Sequence, residues 1–183
     1  MSKEAELIEA ALQGDKEAFG QLVRTHQDRL FAAMLQVTRS AEEAEDVVQD
    51  AFVRAYLKLD TFQRNSRFFT WLYRIAFNSA LSRRRRKRVT MSLDQTREVT
   101  GNEPIDNVDS PDERMLRGER VLSIQVALDQ LSDEHRTILV LREMENHPYE
   151  DIAEILEISI GTVRSRLSRA RTQLRLTLEG MQQ

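Results

Sequence analysis

At 183 residues, with 40% hydrophobic and 31% charged composition, the chain is sized for one or two small domains. It has no cysteine, which excludes a disulfide scaffold, a thiol nucleophile and a Cys-ligated metal site; 6 Gly and 3 Pro are too few turn formers for an all-β sandwich or barrel. Net charge is only −3, no run approaches the ~18 apolar residues of a membrane span, and the charged N-terminus does not read as a secretory signal. A cytoplasmic protein that does not insert in a membrane is expected.

The pattern is helical nearly throughout. Leu7, Ile8, Ala11 and Leu12 form a short stripe that ends at Gly14. Asp15 is placed to cap a second helix whose apolar side carries Phe19, Leu22, Val23, Leu30, Met34 and Val37. Ser40 and Glu43 have capping-box spacing and open a helix to about Leu59. Its buried face is expected to hold Ala44, Val48, Ala51, Phe52, Ala55 and Leu59. The opposite side carries Asp46, Gln49, Asp50, Val53 and Leu57. Two aliphatics bordered by acids suit a protein partner, with apolar centre and polar rim. The alternative is that the first helix covers them.

A loop from Thr61 to Ser66 leads into a helix from about Arg67, packing through Trp71, Leu72, Ile75, Ala76 and Phe77 and ending in Arg83 to Arg88, six consecutive cations. Aromatics interleaved with Arg and Asn beside a cationic run suit single-stranded nucleic acid, by stacking and charge. At helical spacing, most of these aromatics belong to a core. The loop, Arg74 and Asn78 then remain as the nucleic-acid candidates.

Residues 89–110 lose periodicity and form the expected tether: between 90 and 113 lie seven acids and one base. Ser110 and Glu113, with Pro111 between, have the spacing to restart a helix continued by Val121, Ile124, Ala127, Leu128 and Leu131. Ser132 is placed to cap the next, with Ile138, Leu139, Leu141 and Arg142, broken at Asn146-His147-Pro148. The reading is therefore all-α: a domain over 1–88, a linker over 89–110 and a domain over 111–183.

Two short helices close the chain, about 148–156 and 160–178, with a three-residue turn at Glu157-Ile158-Ser159. Val163, Leu167, Ala170 and Leu174 recur at helical spacing as the packed face of the second. Small Ala153 and Gly161 are expected to allow a close crossing. Five arginines and no acid fall between 160 and 176, whereas 143–157 holds six acids and no Lys or Arg. A basic second helix after a short turn is the helix-turn-helix arrangement. On a wheel at about 100° per residue, Gly161, Thr162, Ser165, Ser168, Arg169 and Thr172 face away from the packed stripe, towards base edges. Arg164, Arg166 and Arg171 flank the stripe and suit phosphates. Either basic block alone also reads as a solvated helix face; together they suggest two polyanion contacts.

No phosphate-cradling Gly loop is present, and His26, His135 and His147 have no partner at triad or metal-ligand spacing. No catalytic residue, metal or cofactor is expected, and the chain does not read as an enzyme.

Three stretches, AEDVVQDAFVRAYLKLDTF (44–62), FFTWLYRIAFNSALSRRRR (68–86) and YEDIAEILEISIGTVRSRLSRAR (149–171), resemble the small bacterial RNA polymerase sigma factors of the extracytoplasmic-function group, part of the sigma-70 superfamily. The resemblance spans both modules in order. It implies a transcription initiation factor that binds core RNA polymerase, directs it to promoters and helps melt the minus-ten element. Asp46, Gln49, Asp50, Val53 and Leu57 would meet the clamp helices of the largest polymerase subunit. Arg64, Asn65, Ser66, Arg67, Arg74, Asn78, Arg83 and Arg84 would meet the minus-ten strand. Thr162, Arg164, Ser165, Arg166, Ser168, Arg169 and Arg171 would meet the minus-thirty-five duplex. It further implies an anti-sigma partner and a monomeric free chain. The 63–67 loop lacks a glycine frequent in the family, and His147-Pro148 replaces a commoner small polar pair, with Pro148 expected at the first helical position.

Two other functions share some of these features. A stand-alone regulator with the same helix-turn-helix would usually dimerise over two half-sites. A purely protein-binding helical module would have no use for the arginine-rich last helix, and salt-dependent DNA binding separates it from the others.

Overall fold

The computed structural model describes residues 2–63, 66–91 and 121–181, with side chains through Arg83 in the second stretch. Among the described residues all regular structure is helical. α1 (Lys3–Leu12) starts where the Ser2 hydroxyl accepts the Ala5 N–H at 3.3 Å, and Gly14 turns the chain at φ +94°. α2 (Lys16–Thr38) is capped by the Asp15 carboxylate, which accepts the N–H groups of Glu17 and Ala18 at 2.9 and 3.2 Å. Arg39 closes it in the left-handed conformation, donating its N–H to Leu35 O. α3 (Ala41–Leu57) begins at Ser40, whose hydroxyl accepts the Glu43 N–H, and runs into a 3-10 turn, Leu59–Thr61. α4 spans Phe68–Met91, three residues into the stretch expected as tether.

These helices form one bundle. Leu22, Leu30 and Met34 of α2 are essentially inaccessible, as are Ala51 and Ala55 of α3 and Leu72, Ala76 and Phe77 of α4. The small α3 residues let helix axes approach closely, and α4 fills the remaining space with rings. Phe62, Phe68 and Trp71 cluster with centroids 5.3–5.8 Å apart.

The second half contains α5 (121–129), α6 (Asp133–Leu139), a π turn at Val140–Met144, α7 (Tyr149–Leu156) and α8 (Ile160–Met181). Ser132 caps α6 through the His135 N–H, and Ser159 caps α8 through the Thr162 N–H at 3.1 Å. Ile152, Ile155, Val163, Leu167 and Ala170 are buried where α7 crosses α8. Glu157 makes the turn between them at φ 54°, a conformation glycine would occupy with less strain.

Several sequence expectations change. Val121 and Ile124 are 54% and 44% exposed, because α5 packs through Ala127 and Leu128 instead. Pro148 is the N-cap of α7 and Tyr149 its first residue. Gly161 faces open space: a Cβ there would meet only the Ser159 hydroxyl, at 3.8 Å, so no close crossing depends on it. The Ser110-Glu113 capping box and residues 92–110 of the tether lie outside the described residues.

The two halves share one contiguous core cluster. Their contact has three parts. At the C-terminal end of α2, Arg39 lies near Asp129 and Asp133, and buried Arg136 donates to Gln36 O, a carbonyl of the last α2 turn. Arg136 also pairs with Asp129 at 2.7 Å and donates to Leu128 O, so its buried charge is compensated. Midway, Arg29 holds the Glu145 carboxylate at 2.7 Å and the Glu145 carbonyl at 2.9 Å while lying over the Phe69 ring. Finally, α7 lies against α4.

Candidate partner-binding and nucleic-acid surfaces

The first surface is the outer face of α3. Ala44, Val47, Val48, Ala51, Phe52 and Ala55 all face the core. Val53 is 58% and Leu57 71% exposed, so the first helix does not cover them. Tyr56, beside them, leans edge-on against Phe19 at 5.0 Å. Asp46 and Gln49 are exposed on the same side. Asp46 accepts from Arg83 at 2.9 Å, and Asp50 accepts from the Ser79 hydroxyl at 2.6 Å and pairs with Arg54 at 3.0 Å. Burial disfavours the charged Asp50 carboxyl, but the Ser79 hydroxyl and Arg54 outweigh it and hold the group below its ordinary range. These two acids therefore also fasten α3 to the α4 end that begins the cationic run.

The second surface is the start and polar face of α4. Phe68, Phe69, Trp71, Tyr73 and Phe77 are buried, so these rings serve the core and present no stacking platform. Ser66, Arg67, Arg74 and Asn78 remain accessible to differing degrees. Arg64, Asn65 and the side chain of Arg84 lie outside the described residues. α7 lies across this surface. Ser66 donates to Glu154 at 2.9 Å, Arg74 pairs with Glu154 at 3.6 Å, Thr70 donates to Asp151 at 3.0 Å and Asn78 donates to Glu157 at 3.4 Å. Sequence reasoning missed these acids as contact residues, although the acid-only run 143–157 was their signal.

His147 sits beside this contact. It is 5% exposed and stacks near Phe69 and Tyr73, with centroids 6.1 and 5.1 Å away. Its Nδ1 lies 3.5 Å from Asp151, and its buried Nε2 has no hydrogen-bond partner among the described residues. Burial lowers its pKa, against an opposing pull from Asp151. Tyr73 is pushed far up by burial and by Glu145.

The third surface is the exposed side of α8. Ser165, Ser168, Arg169 and Thr172 face solvent and Thr162 is half-buried, as the wheel placed them. The Ser165 and Thr172 hydroxyls donate to the carbonyls of Thr162 and Ser168, and the Thr162 hydroxyl shares a hydrogen bond with Ser159. The flanking cations differ among themselves. Arg166 pairs with Glu134 at 3.2 Å, and Arg171 grips Glu143 through two nitrogens. These two hydrogen bonds to the Glu143 carboxylate raise the Arg171 pKa further. Arg164 and Arg169 are exposed with no acid within salt-bridge reach among the described residues. An exposed helix with two uncompensated guanidinium groups and several hydroxyls can donate to phosphates and base edges.

No cluster of side chains suited to a metal occurs among the described residues, and no helix there is long and apolar enough to cross a membrane.

Comparison with known proteins matches the sequence to two family models: "Sigma-70 region 2" over residues 22–90 and "Sigma-70, region 4" over residues 122–174. The chain is 36% identical over 182 residues to the RNA polymerase sigma-H factor of Pseudomonas aeruginosa, covering 97% of this chain and 94% of that protein. It is 34% identical over 181 residues to the ECF RNA polymerase sigma factor SigW of Bacillus subtilis, covering 95% and 96%. Among solved structures it resembles the sigma factor RpoE bound to the anti-sigma factor NepR from Bartonella quintana: TM-score 0.72, 29% identity, 88% of this chain and 96% of that chain. It also resembles CnrH in complex with the cytosolic domain of CnrY: TM-score 0.69, 27% identity, 98% and 99% of the two chains.

Proposed function

The chain belongs to the extracytoplasmic-function sigma factors of the sigma-70 superfamily, and from that premise we propose how its surfaces divide the work of transcription initiation. A sigma factor binds core RNA polymerase, directs it to specific promoters and helps melt the minus-ten element; it is not an enzyme. Here the α3 face of Asp46, Gln49, Asp50, Val53 and Leu57 docks on the clamp helices of the largest polymerase subunit. The α4 face, Ser66, Arg67, Arg74 and Asn78, with Arg64, Asn65 and the cations from Arg83 on, takes the displaced minus-ten strand. The α8 face takes the minus-thirty-five duplex: Arg169, Ser165 and Ser168 at base edges with Thr162, and Arg164, Arg166 and Arg171 at phosphates. The domains are 1–88 and 111–183, with 89–110 as linker.

The observation that carries this division is the α3 face. Its inner side is wholly in the core, while Val53 and Leu57 stay 58% and 71% exposed between acids. Such a pair has a purpose when a partner covers it. The relatives RpoE and CnrH were solved with NepR and CnrY bound. A cytoplasmic anti-sigma partner for this chain, monomeric when free, belongs to the same reading. The test is run-off transcription by core RNA polymerase on templates randomised over both promoter elements. Transcripts that need this chain and select defined sequences support the proposal. Transcription unchanged by its addition refutes it.

A further inference from the structure

We propose that Glu143 is a positioning residue for the minus-thirty-five duplex: it reaches no DNA itself but fixes the Arg171 guanidinium so that the remaining N–H groups of that arginine meet a backbone phosphate. This rests on the reading of α8 proposed above and adds to it a residue from outside the helix-turn-helix.

Glu143 stands in the π turn Val140–Met144, where the Glu145 N–H reaches back five residues to Val140 O at 3.0 Å. Such turns occur mostly as single insertions in helices, frequently at functional sites. Two consecutive residues of this turn hold the two helices that follow. Arg142 donates to His147 O at 2.9 Å and lies 5.2 Å from the centre of the Tyr149 ring, at the start of α7. Glu143 holds Arg171 of α8: its Oε1 accepts from Nε at 3.0 Å and from Nη2 at 2.7 Å. Two bonds from one guanidinium fix its orientation as a single bond does not. A guanidinium carries five N–H groups. Both on Nη1 and the second on Nη2 are not bound to Glu143, and the side chain is 48% exposed, which leaves them within reach of a phosphate.

The other cations of α8 are held differently. Arg164 and Arg169 have no acid within salt-bridge reach among the described residues. Arg166 approaches Glu134 at 3.2 Å, and Arg175 approaches Glu179, on α8 itself, at 3.9 Å. An unrestrained arginine loses rotamer freedom when a phosphate captures it. Arg171 is ordered by the fold before DNA arrives. Against this, a carboxylate beside a phosphate-binding cation repels the phosphate. Glu143 is half exposed, at 50%, so water and salt screen that repulsion. For the same reason the pair adds little to the stability of the fold. Orientation is then the larger effect, and its sign is opposite to that of simple charge removal.

The test is a double-mutant cycle in the holoenzyme formed with core RNA polymerase. Its members are the unaltered chain, Glu143→Ala, Arg171→Ala and the double variant. Glu143→Gln, which keeps the accepting oxygen, is the conservative change. Affinity for a fluorescent promoter duplex, one selected in the run-off experiment, is measured across a salt series, with thermal unfolding of the free chains by circular dichroism. Glu143→Ala should bind several-fold more weakly although it removes a negative charge. Its slope of log affinity against log salt should fall by about 0.9, the share of one phosphate, with the melting temperature essentially unchanged. Arg171→Ala should behave alike, and Glu143→Gln should regain part of the affinity. In the Arg171→Ala background, removing Glu143 should cost nothing or slightly tighten binding. Equal or tighter binding by Glu143→Ala alone overturns the inference, because repulsion then outweighs orientation. An equal loss in both backgrounds, or a loss at unchanged salt slope, also overturns it, because Glu143 then acts other than through Arg171. So does an Arg171→Ala holoenzyme that binds as the unaltered one does. The run-off experiment separately decides the promoter reading: a promoter selected there whose affinity ignores Glu143 removes only the positioning role.

Discussion

Substitution of Leu57 tests the polymerase face most directly, because structure and function separate there. Full burial of a leucine side chain is worth about 1.5–3 kcal/mol. Leu57 is 71% exposed, so most of that is still available to a partner and little is invested in the fold. Leu57→Ala should therefore weaken binding to core polymerase by about 1–2 kcal/mol, roughly 5- to 30-fold, and change the stability of the free chain by no more than about 0.5 kcal/mol. Leu57→Asp should cost more than about 2 kcal/mol, since it also places an unpaired carboxylate in a desolvated contact. The assay is competition for core polymerase against a labelled unaltered chain, followed by fluorescence anisotropy, with thermal unfolding by circular dichroism in parallel. Binding of Leu57→Asp within twofold of the unaltered chain would refute the placement of this face. A large drop in melting temperature would show that Leu57 contributes to the core in a way its exposure does not reveal.

On α8, Arg169→Ala should cost the holoenzyme about 1–3 kcal/mol at its promoter and relax preference at one base of the minus-thirty-five element, read from single-base promoter variants. Arg166→Ala should cost less and equally on all sequences, because Arg166 is already paired with Glu134. Leu167→Ala removes a 1% exposed side chain between α7 and α8 and should lower stability by about 2–5 kcal/mol in denaturant titrations. Closure of the two halves should depend on pH through His147, which is faced by Asp151, Glu145 and Arg29. Its pKa is lowered in the closed chain and returns to about 6.5 once exposed. The closed form thus binds fewer protons, and its stabilisation is present above that value and lost as pH falls through it. Energy transfer between a donor and an acceptor dye on cysteines replacing exposed Glu42 in the first half and exposed Gly180 in the second should drop from about pH 7.5 to about pH 5.5, and His147→Phe should flatten that slope.

Much of each half was legible from local signals. Caps at Asp15, Ser40, Ser132 and Ser159 state where helices begin, because a side-chain oxygen just before the helix accepts the otherwise orphaned N–H two or three residues on. Periodicity marked Val163, Leu167 and Ala170 as the buried stripe of α8, and the wheel followed by subtraction, leaving Ser165, Ser168 and Arg169 outside. The same logic left Val53 and Leu57 on the outer face of α3. Repeats of 3.6 residues report which face is buried but not what buries it. The pairing of the halves was therefore decided only in the tertiary structure. Arg29 with Glu145, and Arg74 with Glu154, are 116 and 80 positions apart, and no local pattern relates them. Composition exposed the acid-only run 143–157, yet a charge run reads alike whether solvent or another helix faces it. Only the packing of α7 on α4 turned those acids from a solvated edge into partners of Ser66, Arg74 and Asn78, because ion pairing depends on distance through space, which chain separation does not specify.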